Sequence, residues 1–215
     1  MPTALTFSSL QSDVRAYLER GQITDTTVYG QIPRLINLAE RRMARELKVQ
    51  GFINVVSSAM VAGNNVIDKP DRWRETVSIN FGSGANLDQR TQMFPRSYEY
   101  IRFYWPDDAL TSQPEFYADY DYKHWVVAPT PDVAYPFEIV YYELPALLDA
   151  QNTTNWLTEY APNALLYATL LEASPFLKDD ERLQTWTGMY DRALSALNGE
   201  DLHKVMDRNV ARTGA

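Results

Sequence analysis

Two aspartates and a nearby histidine are the residues of this chain whose types and spacing come closest to acid–base or metal chemistry. Asp119 and Asp121 stand two positions apart, so on a strand both side chains point to one face, and His124 follows them. Paired carboxylates can act as general acid and base or hold a cation. However, no third ligand in the sequence converges on the two aspartates, His124 is a lone imidazole, and neither His124 nor His203 has the spacing of a metal-binding pair. The pattern therefore favours an exposed strand face and a structural role for His124.

Aromatic residues are concentrated in the same part of the sequence. Aromatic strands can bind sugars or partner proteins, but here the alternation fits a sheet packed on one side, with surplus tyrosines at a subunit interface. No glycine-rich phosphate loop, GxSxG elbow or HExxH motif accompanies them. We therefore predict no enzyme and no cofactor, with a carbohydrate-binding or glycan-cleaving protein as the alternative. The aromatic residues are Tyr117, Tyr120, Tyr122, Trp125, Tyr135, Tyr141 and Tyr142.

Composition limits the class of protein. Of the 215 residues, 45% are hydrophobic and 22% charged, and cysteine is absent, which is typical of a folded globular chain without disulfides. The formal net charge of −8 and the pI of about 4.8 argue against a protein that wraps nucleic acid, because phosphate binding depends on concentrated Lys and Arg. The sequence has neither a long apolar run nor a secretory signal. We expect no membrane association and a protein that stays where it is made.

The stretch 153–198 predicts a helical hairpin around which the rest of the chain is organised. Residues 164–171 are apolar on nearly all sides, which indicates a central, buried helix. We predict a break at Ser174-Pro175, because proline lacks the amide hydrogen that a continuing helix needs. A second, amphipathic helix should pack against the first through Trp186 and end at Gly199. Its apolar face is formed by Leu183, Trp186, Tyr190, Ala193 and Leu197.

The N-terminal residues predict further helices. A short helix begins near Ser8 and ends at Gly21, and a second helical region opens at 25–27 and tolerates Pro33 in its first turn. This region runs to about Gln50 and has an apolar stripe on one side. A basic stripe on the other side consists of Arg34, Arg41, Arg45 and Lys48.

The middle of the chain predicts strands and turns. Residues 52–61 and 66–67 read as a hairpin around the turn 62–65, and 73–81 alternates like a half-buried strand that leads to a flexible tip at 82–86. A short helix at 97–104 follows. Three more strands, at 115–120, 124–127 and 137–143, complete a five- or six-stranded antiparallel sheet.

Helices, then strands, then helices indicate an α+β fold, in which the N- and C-terminal helices form a bundle beside a central antiparallel β-sheet region. We expect N-terminal bundle helices in residues 1–50, the β region with its short helix in 51–148, the helical hairpin in 149–199 and a tail in 200–215.

Four segments together resemble the head-to-tail connector, or neck adaptor, proteins of tailed bacteriophages. The segments are LINLAERRMARELKV at 35–49, MVAGNNVIDKPDRW at 60–73, FEIVYYELPALL at 137–148 and NTTNWLTEYAPNALLYATLLEASPFLKDDERLQTWTGMYDRAL at 152–194. The last segment carries most weight, because its opening, its Ala-Pro helix start, its break and its acidic restart occur in the family's order. The region 82–112 departs from the simpler family pattern.

The resemblance implies a ring, usually twelvefold, between the portal protein and a tail or nozzle protein. DNA would pass through the ring without sequence-specific binding, and the protein would be made in the bacterial host cytoplasm and reside at the head–tail junction of the virion. The basic stripe would then pair with a neighbouring subunit or face the channel, unless it is only a solvated helix face. A further candidate interface for subunits or the tail is the tip, with Gly82, Ser83, Gly84 and Asn86.

The C-terminal tail is the candidate portal-binding segment under this resemblance. Its apolar and basic residues are too few to order a segment alone, so we expect it to be loose until a partner supplies contacts, or to be a disordered end without a role. The candidate contact residues are Leu202, Val205, Met206, Arg208, Val210 and Arg212.

Overall fold

The computed structural model describes residues 5–20, 22–83, 89–177 and 181–212, with Ser83 and 200–212 described as backbone only. The chain divides into two compact units. One contains the helices near both chain ends, and the other is Ile53–Glu143. The chain passes from one unit to the other at 52/53 and returns at 143/144, whereas the segment boundaries expected from the sequence are 50/51 and 148/149.

The helical unit is built around one buried helix. Along the chain its helices are α1 (Phe7–Leu18), α2 (Thr26–Tyr29), α3 (Ile32–Glu46), a 3-10 turn (Gln50–Phe52), α5 (Trp156–Tyr160), α6 (Pro162–Leu177) and α7 (Leu183–Arg212), while α4 (Tyr98–Tyr104) lies in the other unit. Helix α6 packs against α1, α3, α5 and α7. Its Leu165, Ala168 and Leu170 are fully buried, which confirms the central, buried helix predicted from its composition.

The helix starts follow local side-chain chemistry. Thr6, rather than Ser8, caps α1, because its hydroxyl accepts from the Ser9 N–H while the Ser9 hydroxyl accepts from the Thr6 N–H. Asn155 and Thr158 form the same reciprocal cap at α5. Pro33 lies in the first turn of α3, as predicted, where the missing amide hydrogen costs no helical bond.

The predicted ends of the two C-terminal helices are wrong. Helix α6 does not break at Ser174-Pro175 but continues to Leu177. Proline at position 175 removes backbone hydrogen bonds only from the last turn of the helix. In the same turn, the Ser174 hydroxyl donates to the Leu170 carbonyl at 3.0 Å. Helix α7 does not stop at Gly199 but continues to Arg212. Gly199 lacks the positive φ of a helix cap, and a single glycine in a helix costs only about 1 kcal/mol.

Trp186 holds α7 against its neighbours, as predicted. Its ring stacks on Tyr167 of α6 with centroids 6.3 Å apart and lies 5.8 Å from the Tyr17 ring of α1. The side chain is half-buried. We therefore expect Trp186→Ala to lower the free energy of unfolding by about 2 kcal/mol, less than the roughly 3–5 kcal/mol of a fully buried tryptophan. Thermal unfolding measures this, and an unchanged midpoint would contradict the packing of the hairpin.

The described residues of the second unit form α4 and nine strands. The strands are β1 (Ile53–Ala59), β2 (Val66–Asp68), β3 (Trp73–Ser83), β4 (Gln89–Pro95), β5 (Thr111–Ser112), β6 (Phe116–Asp119), β7 (His124–Ala128), β8 (Thr130–Pro131) and β9 (Pro136–Glu143). Seven of them form one sheet in the order β1-β9-β3-β4-β6-β7-β2, and β5 pairs with β8 in a small parallel ribbon. One side of the large sheet covers a core that includes Ile79, Phe81, Trp125 and Tyr141.

The predicted hairpin of 52–61 with 66–67 is wrong. Strand β1 pairs along its whole length with β9, and β2 pairs with β7. The backbone between β1 and β2 is bound elsewhere, since the Met60 N–H donates to the Tyr135 carbonyl and the Gly63 N–H to the Pro131 carbonyl. A segment rich in β-branched residues thus indicates a strand but does not indicate which strand it pairs with.

The sheet also has features that the sequence pattern did not reveal. Strand β4 has one buried residue, Met93, and so lacks a readable alternation. It pairs in parallel with β6, which makes the sheet mixed rather than antiparallel throughout. Two irregularities in β3 shift its phase, which leaves Val77 exposed while Ile79 and Phe81 are buried.

The predicted α+β class is confirmed, with N- and C-terminal helices packed together and a separate sheet region. The hairpin of β6 with β7 and the short helix α4, capped by Ser97, were also predicted. No helix in the described ranges is long and apolar enough to span a membrane.

Candidate functional site

A buried carboxylate fixes helix α3, which carries the basic stripe. Glu40 is a charged residue, but it lies on the apolar side of the helix and has no exposed surface. Its Oε1 accepts from Nδ2 of Asn155 at 2.6 Å, and its Oε2 accepts from the Leu148 N–H at 3.0 Å and from Nδ2 of Asn37 at 3.2 Å. Burial raises the pKa of Glu40 above its ordinary value, because these hydrogen bonds only partly offset the loss of solvent. Glu40 therefore ties α3 to the connection that leads into α5.

The basic stripe is exposed, as predicted. Arg34, Arg41, Arg45 and Lys48 all face solvent on one side of the helical unit. At about 100° per residue, Arg34, Arg41 and Arg45 span an arc of roughly 40° around the axis of α3, and Lys48 follows beyond the end of the helix. Leu38, 40% exposed, lies within the same stripe and adds an apolar contact to its cationic surface. The surface is therefore suited to an acidic partner with an apolar centre.

Ion pairs border the stripe and connect three helices. Arg42 donates from Nε to Glu46 at 3.0 Å and from a terminal nitrogen to Glu172 of α6 at 3.2 Å. The Tyr190 hydroxyl of α7 donates to the other oxygen of Glu46 at 2.5 Å. Burial and the Glu46 carboxylate raise the pKa of Tyr190 far above its usual value, so the phenol stays protonated. These contacts tie α3 to α6 and α7 beside the stripe.

The two aspartates do not form a carboxylate pair. Asp119 binds Nζ of Lys69 at 2.6 Å, and that lysine also lies 3.8 Å from the Trp73 ring centroid. Asp121 instead accepts from the backbone N–H of His124 and contacts its Nδ1 at 2.7 Å. The His124 contact, with two backbone amides, lowers the pKa of Asp121 below its usual value. The two carboxylates thus stabilise the β6–β7 turn and the end of β2.

His124 has a second acidic neighbour. Its Nε2 lies 3.3 Å from Asp68 of β2, on the side opposite Asp121. Across the described residues, no group of three or more His, Asp and Glu side chains is arranged to hold a metal ion.

The aromatic residues divide between core and surface, as the sequence predicted. Tyr117, Trp125 and Tyr141 are buried, and Tyr135 and Tyr142 are half-buried. Tyr120 and Tyr122 are exposed.

A larger aromatic surface surrounds α4 and was missed by the sequence analysis. Tyr100 contacts Tyr104 with ring centroids 4.6 Å apart, and Phe116 at 6.1 Å. Arg96 lies over the Tyr100 and Phe116 rings at 5.5 and 5.2 Å. Phe103 is 77% exposed at the margin. The signal was present as aromatic residues at 98, 100, 103, 104 and 105, more than a helix of seven residues can bury on one side.

The remaining candidate residues lie at or beyond the limits of the described chain. Gly82 and Ser83 extend β3 and pair with Arg90 and Gln89 of β4, so the tip begins later than predicted. Gly84 and Asn86 lie outside the described residues. The candidate portal-binding residues belong to the last turns of α7. Only their backbone is among the described parts of the chain. They are Leu202, Val205, Met206, Arg208, Val210 and Arg212.

Comparison with known proteins identifies one family. The family model described as SU10 adaptor protein matches residues 5–213, which include both compact units. No curated protein matches the chain.

Proposed function

Because the chain belongs to the SU10 adaptor protein family, we propose that it is a structural virion protein that forms a ring between the portal and the tail. The ring has twelve copies and leaves a channel through which DNA passes. It sits at the head–tail junction after synthesis in the bacterial cytoplasm. The observation that carries the proposal is the family match over almost the entire chain.

Two surfaces of the chain support a role in assembly. The aromatic surface around α4 combines exposed Phe103 and Tyr104 with Arg96, and aromatic residues and arginine dominate the energetics of protein interfaces. The stripe on α3 offers cations on a chain whose net charge is −8. Copies of such a chain repel one another unless a local surface of opposite sign offsets the repulsion. We assign the stripe to contact with an acidic surface of the neighbouring subunit.

Reversing two charges of the stripe tests this assignment. Arg34→Glu with Arg41→Glu is expected to weaken ring assembly about tenfold or more, because like charges then face each other across the interface. The wild-type ring should also loosen as salt rises. Native mass spectrometry at several protein concentrations measures the multimer.

The matched control is Lys123→Glu with Arg192→Glu, which changes the net charge equally at exposed positions that are not part of the stripe. If the control weakens assembly as much as the stripe variant does, net charge and not the stripe controls the ring.

The end of α7 is the proposed portal contact. Deleting the residues after Gly199 should abolish attachment to purified portal rings, because it removes the cationic and apolar residues of the last turns. Ring formation and the thermal midpoint of the remaining helices provide the control for folding. Unimpaired portal binding by a folded truncation would contradict this contact.

The alternative of a carbohydrate-binding or glycan-cleaving protein has less support. Asp119 and Asp121 bind different partners in a turn. Three of the aromatic strand residues are in the core, namely Tyr117, Trp125 and Tyr141. Retention on glycan resins by a monomer would favour that alternative.

A further inference from the structure

Strand β1 ends the large sheet, and no described residue pairs with its outer edge. It pairs only with β9 in the sheet order. The register is continuous over all seven residues, from Ile53 opposite Tyr142 to Ala59 opposite Pro136. The strand contains no proline and no charged residue. It therefore lacks the bulges, charges and prolines that usually protect an edge strand from pairing with another chain.

The backbone groups that point outward can be assigned residue by residue. The Met60 N–H donates to the Tyr135 carbonyl, so residues at even positions of this antiparallel pair face β9. The odd positions then face outward. Consistent with this, the Val55 N–H bonds to Oδ1 of Asn54 and not to β9. Among the described residues, the outward N–H groups of Ser57 and Ala59 have no hydrogen-bond acceptor.

The opposite end of the sheet is built differently. Strand β2 has only three residues, and its Val66 N–H is already bound to Oδ1 of Asn64. It ends at the charged residues Asp68 and Lys69, and Pro70 follows. This edge carries the protections that β1 lacks. Of the two edges of this sheet, β1 is therefore the one more open to an added strand.

We propose that the outer edge of β1 is completed by an extended segment of the tail protein that adjoins the ring, which adds an antiparallel or parallel strand beside residues 55–59. This assignment rests on the proposed function. Backbone hydrogen bonds at Ser57 and Ala59 provide the affinity of such strand addition, and flanking side chains provide selectivity. Val56 packs at the border of the core, and Val55 is 52% exposed on the other side. A strand with uncharged, β-branched residues fits both sides.

A second copy of the chain fits this edge less well. Pairing of β1 with β1 produces a closed two-fold dimer, which cannot propagate into a ring. Pairing of β1 with β2 covers three of seven residues and brings Asp68 to the interface. The portal is assigned to α7, in the other compact unit. The tail protein is thus the partner left for β1.

Hydrogen–deuterium exchange of residues 53–59 tests the proposal in four samples: the free chain, its ring, the ring on purified portals, and complete necks released from virions. We expect the Ser57 and Ala59 amides to exchange about tenfold or more slowly only in the complete neck. Protection already in the ring would identify a second copy as occupant, and protection on portal binding would identify the portal. Either result overturns the proposal, as does lack of protection in the neck.

A pair of variants tests the same hydrogen bonds. Ser57→Pro removes an outward N–H at a position where edge strands tolerate proline, whereas Ser57→Ala keeps it. We expect Ser57→Pro rings to bind portals normally but to join purified tails about tenfold or more weakly, while Ser57→Ala rings join normally. If Ser57→Pro does not fold, Val55→Lys with Ala59→Lys places charge at the edge instead. Normal joining by a folded edge variant overturns the proposal, whereas failure of the wild-type chain to form rings or bind portals overturns the proposed function itself.

Discussion

Replacing Glu40 with alanine is expected to lower the free energy of unfolding by about 3 to 5 kcal/mol, because the change removes a buried acceptor and leaves the Leu148 N–H unpaired. The Leu148 N–H and the amides of Asn37 and Asn155 lose their shared acceptor, and a cavity forms beside α3. Chemical denaturation measures the loss. Glu159→Ala, at an exposed carboxylate of α5, is the control and should change stability by less than about 0.5 kcal/mol. Equal effects of the two variants would contradict the role of Glu40.

The same carboxyl predicts a pH dependence with a defined sign. Burial raises the pKa of Glu40 above its ordinary 4.5, so the folded state binds the proton more tightly than the unfolded chain does. The contribution of the Glu40 carboxyl to the free energy of unfolding is therefore fully present below about pH 4.5, and it is lost as pH rises through the folded-state pKa. Glu40→Gln should be less stable near neutral pH, because its amide nitrogen faces other donors. The stability difference between wild type and Glu40→Gln should narrow from pH 4 to pH 8, and a constant difference would contradict the assignment.

Gly51→Ala is expected to cost about 1 to 3 kcal/mol, because the added methyl group overlaps an aromatic ring. A Cβ at this position would lie 2.1 Å from two atoms of the Trp156 indole. The ring cannot move freely, since it contacts Phe52 with centroids 5.2 Å apart and stacks on Tyr160 at 5.6 Å. Thermal or chemical unfolding measures the cost.

A matched glycine and a double variant test the cause. Gly188→Ala in α7 meets no atom within 4 Å and should raise stability by up to about 1 kcal/mol through helix propensity. In a Trp156→Ala background, Gly51→Ala should lose most of its cost. A cost that persists without the indole would show that the ring is not its source.

Periodicity predicted the helices because their burial depends on neighbours in sequence. The apolar residues on nearly all sides of 164–171 predicted a buried helix, and the helical spacing of Trp186 and Tyr190 predicted an apolar face. Helix ends were less predictable. The energetic penalties of Pro175 and Gly199 are small at their positions, so packing and neighbouring helix formers override them.

Strand pairing was not readable from local patterns, because it depends on residues far apart in sequence. Nothing near β1 indicates that β9 is its partner, and Met93 alone gives β4 no alternation. Of the candidate site residues, the stripe was predictable because exposure follows from helix phase. Glu40 was readable as a carboxylate in phase with the apolar residues Ile36 and Met43, but its partners around Leu148 and Asn155 required the fold.

Electron microscopy of the purified chain mixed with purified portal rings tests the central claim most directly. We expect a second ring with the symmetry of a twelvefold adaptor stacked on one end of each portal, with a continuous channel through both. Truncation after Gly199 should remove this added ring while leaving the portal unchanged. Portals without added density at saturating concentrations of the chain, or with density from single unassembled copies, would contradict a ring adaptor.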